Sequence, residues 1–239
     1  NDFKNKFDLL KFFNWESEKK ICTVFSHNMI DGNFYDEWKL FMDVKTWMEE
    51  TLKIIKEYGE KINWIIRAHP SEKYFPRLKT KTKDLFKEII GESSNIKLCP
   101  DNCAPNTIRL LSDIVVTSHG SVGVEYPCFG IPSIICGDSY YRGNGFVNEP
   151  ETIEEYGEML KNLHMYIKKG LTPNQIKLAR AFYYVHEYLI QIDCPLLDEK
   201  FQFLKKAFGK AVILGKGADK MMGKSPRLSR KASIGLTTG

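Results

Sequence analysis

Short apolar runs alternate with helical segments between residues 20 and 170, and this alternation constrains the fold more than any other feature. Each run is short and rich in β-branched or aromatic residues, and the residues that follow it have helical spacing. The five runs are 21–25, 62–66, 96–98, 113–117 and 132–136. Strands of this kind, joined by helical crossovers, are typical of parallel sheets covered on both faces. The sequence therefore predicts an α/β fold, a Rossmann-like parallel sheet with helices on both faces.

Apolar residues at helical spacing predict seven helices between and after these strands. These helices are expected at 34–60, 81–90, 105–111, 121–129, 152–169, 172–192 and 197–208. The Rossmann-like domain is expected to span 20–170. An amphipathic segment, 1–20, precedes it, C-terminal helices occupy 171–209, and 210–239 form a basic, flexible tail.

Composition and charge exclude several classes of protein. The chain has 239 residues, of which 43% are hydrophobic and 27% charged, so it is neither generically disordered nor fibrous. The net charge is +5, but residues 210–239 alone carry seven basic side chains against one acid, so the rest is close to neutral. The basic body of a nucleic-acid-binding protein is absent. We interpret the basic tail as solvated. A weaker interpretation is attraction to anionic lipid headgroups, worth about 1 kcal/mol per basic residue.

No membrane span or secretion signal is evident in the sequence. No stretch approaches the roughly 18 consecutive apolar residues of a transmembrane helix, and the first residues lack the apolar core of a signal peptide. We therefore expect a cytoplasmic protein, at the inner face of the membrane if the basic tail binds lipid. The six cysteines are expected to be reduced thiols, and no second pair completes a zinc site with Cys99 and Cys103.

The residues that follow each strand deserve the closest attention, because open parallel sheets bind ligands at the carboxyl ends of their strands. The fourth strand is followed by Ser118, Gly120, Ser121 and Gly123, at the start of a predicted helix whose amides could hold a phosphate. Glu125 lies one turn further, where a carboxylate can accept hydrogen bonds from ribose hydroxyls. The alternative is a tight turn in which the two glycines only permit close packing.

A second cluster of polar residues follows the second strand. Arg67 and His69 are expected to point to the same side and to bind an anion or protonate a leaving group, and Pro70 ends the strand. A loop histidine beside a surface arginine is the alternative. The loop 26–32, which contains Asn28, is a less secure candidate, since it also has the composition of an ordinary polar loop.

Three ligand-binding motifs are absent. No Asp-x-Asp pair follows a strand, which argues against a transferase that holds its nucleotide through a divalent metal, and we expect no metal site. A Gly-x-Gly-x-x-Gly fingerprint does not follow the first strand, and there is no Walker A sequence. Nicotinamide dehydrogenases and P-loop nucleotidases are therefore disfavoured.

Four motifs, in this order, resemble the capsule polysaccharide biosynthesis family. They are Arg67-Ala68-His69-Pro70, the stretch from Leu110 to Glu125 with its Ser-His-Gly-Ser turn, Gly130-Ile131-Pro132, and Tyr140 to Phe146. The family includes the Kdo transferases of capsule assembly and is related to other two-lobed, GT-B type glycosyltransferases. The resemblance covers roughly residues 20–170 and implies a nucleotide-sugar donor domain that works without a metal.

The resemblance also implies roles for particular residues. It implies catalytic roles for His69, Arg67 and His119, which would stabilise the departing nucleotide phosphate. The residues implied in donor binding are Ser118, Gly120, Ser121, Gly123, Glu125, Asn28 and Tyr140. By the same resemblance we expect a nucleotide-sugar donor, with a CMP-linked sugar as the first choice, no other cofactor, and a glycan or glycolipid acceptor.

Complete GT-B enzymes have a second Rossmann-like lobe that holds the acceptor, and only one lobe is visible in this sequence. We therefore expect a second lobe upstream, in a longer parent protein. Two alternatives remain open at this stage. One is a polyol-phosphate transferase or a sugar-nucleotide epimerase, and the other is a non-catalytic nucleotide-sugar-binding module, which would be favoured if the chain were complete.

Overall fold

A single parallel sheet of five strands organises the protein. The computed structural model describes residues 3, 5–15, 19–29 and 40–190. Its strands are β1 (Ile21–Phe25), β2 (Asn63–Arg67), β3 (Ile96–Leu98), β4 (Ile114–Thr117) and β5 (Ser133–Ile135). They are arranged in the order β3-β2-β1-β4-β5, and every neighbouring pair is parallel. The Rossmann-like α/β fold predicted from the sequence is confirmed, with strand boundaries that differ by one residue at most.

Eight α-helices surround the sheet within the described residues. They are α1 (Lys6–Phe13), α2 (Val44–Tyr58), α3 (Thr82–Leu85), α4 (Pro105–Leu111), α5 (Val122–Glu125), α6 (Ile153–Lys161), α7 (Leu163–Lys169) and α8 (Pro173–Tyr184). Short 3-10 turns add Gly59–Lys61, Pro70–Tyr74 and Pro127–Phe129, and π-helical turns extend α3 and α8 over Phe86–Ile90 and Val185–Leu189.

Side chains alternate between the two faces of the sheet, so each strand contributes to two cores. On one face, Cys22 and Val24 of β1 pack with Trp47 of α2 and Tyr156 of α6. On the other face, Ile21 of β1 packs in a separate core with residues of β2, α1 and α4, namely Ile65, Leu9, Phe13 and Ile108. Helices therefore cover both faces, as predicted.

Three helices differ from their predicted lengths for local reasons. Residues 40–43 are not helical, and α2 begins at Val44 because the Asp43 carboxylate caps it by accepting the Thr46 N–H at 2.7 Å. The predicted helix 152–169 is divided at Asn162, whose side chain donates to the Glu158 carbonyl at 2.9 Å. The predicted helix 121–129 is only the four residues of α5 followed by a 3-10 turn.

Several sequence-based expectations fall outside the described residues. They are the helix 197–208, the basic segment 210–239, Cys194 and residues 30–39. In the described part, Cys22, Cys99, Cys103 and Cys136 are buried, Cys128 is half-buried, and all five are free thiols. No helix among the described residues has both the length and the apolar character needed to cross a membrane.

Candidate functional site

Three histidines lie together at the carboxyl edge of the sheet, and we call them the histidine cluster: His27, His69 and His119. Phe25 of β1 is paired in register with Arg67 of β2 on one side and with Thr117 of β4 on the other. Each histidine comes two residues after one of these three positions. The register of three adjacent strands therefore brings the imidazoles level with one another.

The His27 ring occupies the centre of the histidine cluster. It stacks on His119 with ring centroids 4.1 Å apart and lies nearly parallel to the His69 ring at 6.4 Å. His27 is buried, its Nε2 lies 3.0 Å from Thr117 Oγ1, and the backbone N–H of His119 donates to Nε2 at 3.4 Å. Burial lowers the pKa of His27, and positive charge on His119 or His69 would lower it further. The central imidazole is thus held neutral.

His69 is oriented by the turn that follows β2. It precedes Pro70, which opens the 3-10 turn Pro70–Tyr74, and its Nδ1 accepts the Ser71 N–H at 3.2 Å and lies 2.7 Å from Ser71 Oγ. Because Nδ1 is an acceptor, the neutral ring carries its proton on Nε2. Asn28, which is buried, reaches the same hydroxyl through its side-chain amide at 3.5 Å. Ser71 therefore links Asn28 to the histidine cluster.

Arg67 and His69 have different partners in the structure. The Arg67 guanidinium donates from Nη1 to Cys99 Sγ at 3.2 Å and from Nη2 to the Cys103 carbonyl at 3.3 Å, in the loop after β3. Its side chain is half-buried and belongs to the face of the sheet that carries Ile65. Arg67 is the last residue of β2 and His69 follows the strand, and their joint action on a ligand stays a prediction.

The turn from Ser118 to Glu125 is held mainly by its own backbone. The amides of Gly123, Val124 and Glu125 donate to carbonyls within the turn at 2.9–3.0 Å. With four residues, α5 is too short to build the macrodipole that the sequence-based phosphate site assumed. The phosphate site expected at the start of this short helix stays a prediction.

Both glycines of this turn are required by close packing. A Cβ at Gly120 would lie 2.9 Å from Thr117 Oγ1 and 3.2 Å from His27 Cε1, so the backbone lies directly against the histidine cluster. A Cβ at Gly123 would lie only 2.1 Å from Tyr141 Oη. That hydroxyl donates to the Gly120 carbonyl at 2.5 Å and fixes the turn. Gly120 borders the cluster, whereas Gly123 makes room for Tyr141.

The two serines of the turn have different environments. Ser118 is buried, and its Oγ lies 3.2 Å from His119 Nδ1, while its carbonyl accepts the N–H groups of Cys136 and Gly137. Ser121 is exposed and its side chain is hydrogen-bonded to the Glu125 carboxyl. Ser118 therefore contacts the His119 ring from a buried position, and Ser121 is the serine that a ligand can reach.

Glu125 and Tyr140 belong to a second group of residues, beside the end of α8. Burial raises the pKa of Glu125, the hydrogen bond with Ser121 opposes this shift, and the nearby Glu187 carboxylate adds to it. The Tyr140 ring stacks on His186 with centroids 4.0 Å apart, and burial raises its pKa to about 12. Both residues contact this group, whereas Ser118 contacts His119 of the histidine cluster and Asn28 reaches His69 through Ser71.

His27 and the buried polar residues near it were not among the site residues predicted from the sequence. Ser26 Oγ lies 2.6 Å from Thr82 Oγ1, which donates to the buried Glu72 carboxylate at 2.6 Å. The Thr82 N–H donates to the same carboxylate at 3.2 Å, so Glu72 fixes the start of α3 against the loop after β1. A signal for His27 was present, since it follows a strand at the same interval as His69 and His119.

No protein-family model matches the sequence, and no curated protein matches it either. Solved structures with a similar fold include UDP-GlcNAc 2-epimerase from Neisseria meningitidis bound to UDP-GlcNAc, which is 16% identical and matches 73% of this chain and 42% of its own, with a TM-score of 0.46. The wall teichoic acid polymerase TagF is 15% identical over 74% of this chain and 41% of its own, with a TM-score of 0.46.

The β-Kdo 2,4 transferase KpsC from Thermosulfurimonas dismutans is a third such structure. It is 16% identical over 59% of this chain and 40% of its own, with a TM-score of 0.42. The chain thus spans less than half the length of each of these three proteins. All three are enzymes whose names refer to sugars, sugar nucleotides or cell-wall polymers.

Proposed function

We propose that residues 20–170 form the donor-binding domain of a metal-independent glycosyltransferase that contributes to a bacterial capsule or other surface polysaccharide. The observation that carries the proposal is the histidine cluster at the carboxyl edge of β1, β2 and β4. Ligands of open parallel sheets bind at this edge, next to the point where the strand order reverses. The order here reverses between β1 and β4, the strands that precede His27 and His119.

The chemistry of the cluster suits a nucleoside diphosphate. A diphosphate bound at this edge would lie beside the two outer rings, His69 and His119, whose ring N–H groups can donate hydrogen bonds to it. The buried His27 ring stays neutral and keeps these two rings apart. Hydrogen-bond donors that are already oriented toward the negative charge developing on the leaving group make the largest contribution to catalysis in many enzymes.

Individual roles follow from the geometry and from the family resemblance. His69 offers Nε2–H to the leaving phosphate, because Ser71 occupies its Nδ1. Ser121 offers its exposed hydroxyl, and Glu125 accepts hydrogen bonds from the ribose. In this proposal Arg67 contributes positive charge from its position beside the loop after β3.

The finer parts of the proposal rest on the family resemblance. A CMP-linked sugar is the proposed donor, a glycan or glycolipid the acceptor, and a second Rossmann-like lobe of a longer protein the site where the acceptor binds. We propose a cytoplasmic location, at the inner membrane face if the basic segment 210–239 binds anionic lipid. The lobe and the membrane contact are tested separately from nucleotide binding, by the upstream reading frame and by sedimentation with anionic vesicles.

A thermal-shift panel tests the nucleotide site. CMP, CDP, UDP, GDP and their sugars are added to the chain with and without EDTA. A ligand at a hundred times its dissociation constant stabilises the folded protein by about 2.7 kcal/mol, which raises the melting temperature of a domain of this size by roughly 5–10 °C. We expect a cytidine nucleotide to give the largest shift and EDTA to leave it unchanged.

Three variants make the panel specific. His69→Ala and Ser121→Ala each remove a hydrogen bond to a charged group, worth about 1.5–3 kcal/mol, so affinity should fall roughly ten- to a hundredfold. His164→Ala, at an exposed position of α7, is the matched control and should bind normally. A flat response of the unmodified chain to every nucleotide contradicts the proposal, and a shift abolished by EDTA contradicts its metal-free form.

Product analysis then distinguishes the reaction. Once a nucleotide sugar is identified, the full-length parent protein should form a glycosidic bond to an acceptor. Release of a phosphodiester product or of a free epimer would assign the site to a polyol-phosphate transferase or an epimerase instead. Binding without turnover in the full-length protein would assign it to a non-catalytic module.

A further inference from the structure

Two cysteines face each other across the turn that follows β3. Cys99 comes directly after this strand, Cys103 lies just before α4, and the Cys103 N–H donates to the Pro100 carbonyl at 3.0 Å to close the turn between them. Both side chains are buried, at 5% and 3% exposure, and both are free thiols. The two side chains belong to one core cluster and interact with each other. The turn therefore holds two thiols close enough to react with each other.

Arg67 distinguishes the two sulfurs. Its Nη1 donates to Cys99 Sγ at 3.2 Å, and its Nη2 donates to the backbone carbonyl of Cys103, not to the Cys103 sulfur. The Cys99 thiol also lies 3.5 Å from the Pro100 carbonyl, and the Cys103 thiol lies 3.9 Å from the Ala104 carbonyl. Cys99 is thus the sulfur that accepts a hydrogen bond from the guanidinium.

These contacts shift the acidity of the two thiols in opposite directions. The hydrogen bond from Cys103 lowers the pKa of Cys99, as does the Arg67 guanidinium, while burial and the Asp101 carboxylate act against them. The hydrogen bond to Cys99 and burial raise the pKa of Cys103. The thiolate is the nucleophilic form of cysteine, so Cys99 is the attacking sulfur and Cys103 the resolving one.

We propose that Cys99 and Cys103 form a dithiol that hydrogen peroxide oxidises to a reversible disulfide. The Cys99 thiolate attacks one oxygen of the peroxide, the O–O bond breaks, and hydroxide leaves and takes a proton, which gives a sulfenic acid and water. The Cys103 sulfur then attacks the Cys99 sulfur, the S–O bond breaks, and the second hydroxide leaves as water with the Cys103 proton. Two thiols and one peroxide become one disulfide and two waters.

The remaining described cysteines provide an internal comparison. Cys128 is half-buried and therefore more accessible than either member of the pair, but burial raises its pKa to about 11. Burial also raises the pKa of Cys22 and Cys136. If accessibility alone decided the reaction, Cys128 would be modified first. If the thiolate environment decides it, as we propose, Cys99 is modified first.

The test uses the full chain, reduced and then exposed to hydrogen peroxide at neutral pH. We expect a loss of about 2 Da, the two thiol hydrogens, located in the peptide that contains Cys99 and Cys103, and full reversal by dithiothreitol. After brief exposure, Cys128 should still react with N-ethylmaleimide once the chain is unfolded. A peroxide-treated chain in which Cys128 is oxidised first, or in which the pair keeps both hydrogens, overturns the proposal.

Variants assign the individual steps. In Cys103→Ser the Cys99 sulfenic acid has no resolving thiol and should be trapped by dimedone, whereas Cys99→Ser should give neither adduct nor disulfide. Circular dichroism confirms that both variants fold. A dimedone adduct on Cys103 in Cys99→Ser at the rate seen for Cys99 would contradict the assignment.

Arg67→Met tests the role of the guanidinium. Without the guanidinium the pKa of Cys99 should rise. Each unit of rise lowers the thiolate fraction about tenfold but raises the nucleophilicity of the thiolate about threefold, so the oxidation rate should fall roughly threefold per unit. Arg180→Met is the matched control, since Arg180 donates to the Cys128 carbonyl at 2.7 Å and lies near that thiol. Equal rates in both variants would show that Arg67 does not activate Cys99.

Discussion

At the scale of single residues, the His27 imidazole has the most unusual surroundings. One face contacts His119, the other faces His69, and its Nε2 is enclosed by Thr117 and the His119 amide. A proton on this ring would be buried and would lie beside two groups that can carry the same charge. The folded protein therefore resists protonation of His27 at a pH where the unfolded chain accepts a proton readily.

This resistance predicts a dependence of stability on pH. The pKa of His27 is lowered in the folded state relative to about 6.5 in the unfolded chain, so below that pH the unfolded state binds the additional proton. Its contribution to the free energy of unfolding is fully present above pH 6.5 and falls by up to about 1.4 kcal/mol per pH unit below it.

Urea unfolding between pH 7.5 and 5 measures this effect. His27→Gln should show a shallower loss of stability below pH 6.5 than the unmodified protein. His164→Gln, at an exposed position, should retain the unmodified slope. Parallel curves for all three proteins would mean that His27 titrates normally and is not held neutral by its neighbours.

The same residue shows how far sequence reasoning extends. The strands and the loops that carry the site were predictable, because buried parallel strands are continuous apolar runs in the sequence. Strand order and register are not contained in such runs, and they alone bring His27 level with His69 and His119. Likewise, a short helix was expected over 121–129, but α5 ends at Glu125 and Pro127 begins a 3-10 turn after Tyr126. The Cys99–Arg67 contact was not predictable because it joins the end of β2 to the loop after β3.

At the scale of secondary-structure elements, a buried hydrogen-bond network joins α2 to α6. Tyr156 of α6 accepts the Trp47 indole N–H at 2.9 Å, and its hydroxyl lies 2.7 Å from Thr51 Oγ1. Thr51 in turn donates to the Trp47 carbonyl at 2.7 Å, so the Tyr156 hydroxyl donates to Thr51. All three side chains are buried, and α2 and α6 are therefore held in register by polar atoms inside an apolar core.

Removing one hydroxyl from this network should be costly. Tyr156→Phe leaves the Trp47 N–H buried without its acceptor, which should lower the free energy of unfolding by about 1–3 kcal/mol. Urea denaturation measures the change. Tyr58→Phe, at an exposed position of α2, is the control and should stay within about 0.5 kcal/mol of the unmodified protein.

A double-mutant cycle separates the hydrogen bond from general packing. If the bond carries the effect, Tyr156→Phe should cost clearly less in a Trp47→Phe background, because no N–H is then left unsatisfied. Equal costs in both backgrounds would mean that the hydroxyl contributes only through its volume.

At the scale of the whole molecule, β1 is the central strand of the sheet and lies between the two cores. Its first four residues are buried, and it pairs with β2 and β4 over nearly its full length. By contrast, β3 has three residues, pairs on one side only, and has two half-buried positions. The two strands should therefore differ in local stability although they belong to the same sheet.

Hydrogen exchange should report this difference. Amides of β1 should exchange only through global unfolding, with protection factors of about 10³ or more for a stability near 5 kcal/mol. Amides at β3 should exchange faster, by local fraying. Peptide-level mass spectrometry resolves the two segments, and equal protection in β1 and β3 would indicate that the sheet opens as a single unit.

The two edge strands of the sheet are protected in different ways against pairing with a strand of another molecule. The outer side of β5 is occupied by the segment around Asn148, whose N–H donates to the Ser133 carbonyl at 2.9 Å and whose carbonyl accepts the Ile135 N–H at 3.0 Å. Within the described residues, β3 has no such cover, but it is short and has Lys97 at its centre. Short edges with a central lysine discourage strand addition between molecules. Resistance to polymerisation through this sheet therefore depends on one covering segment at one edge and on one charge at the other.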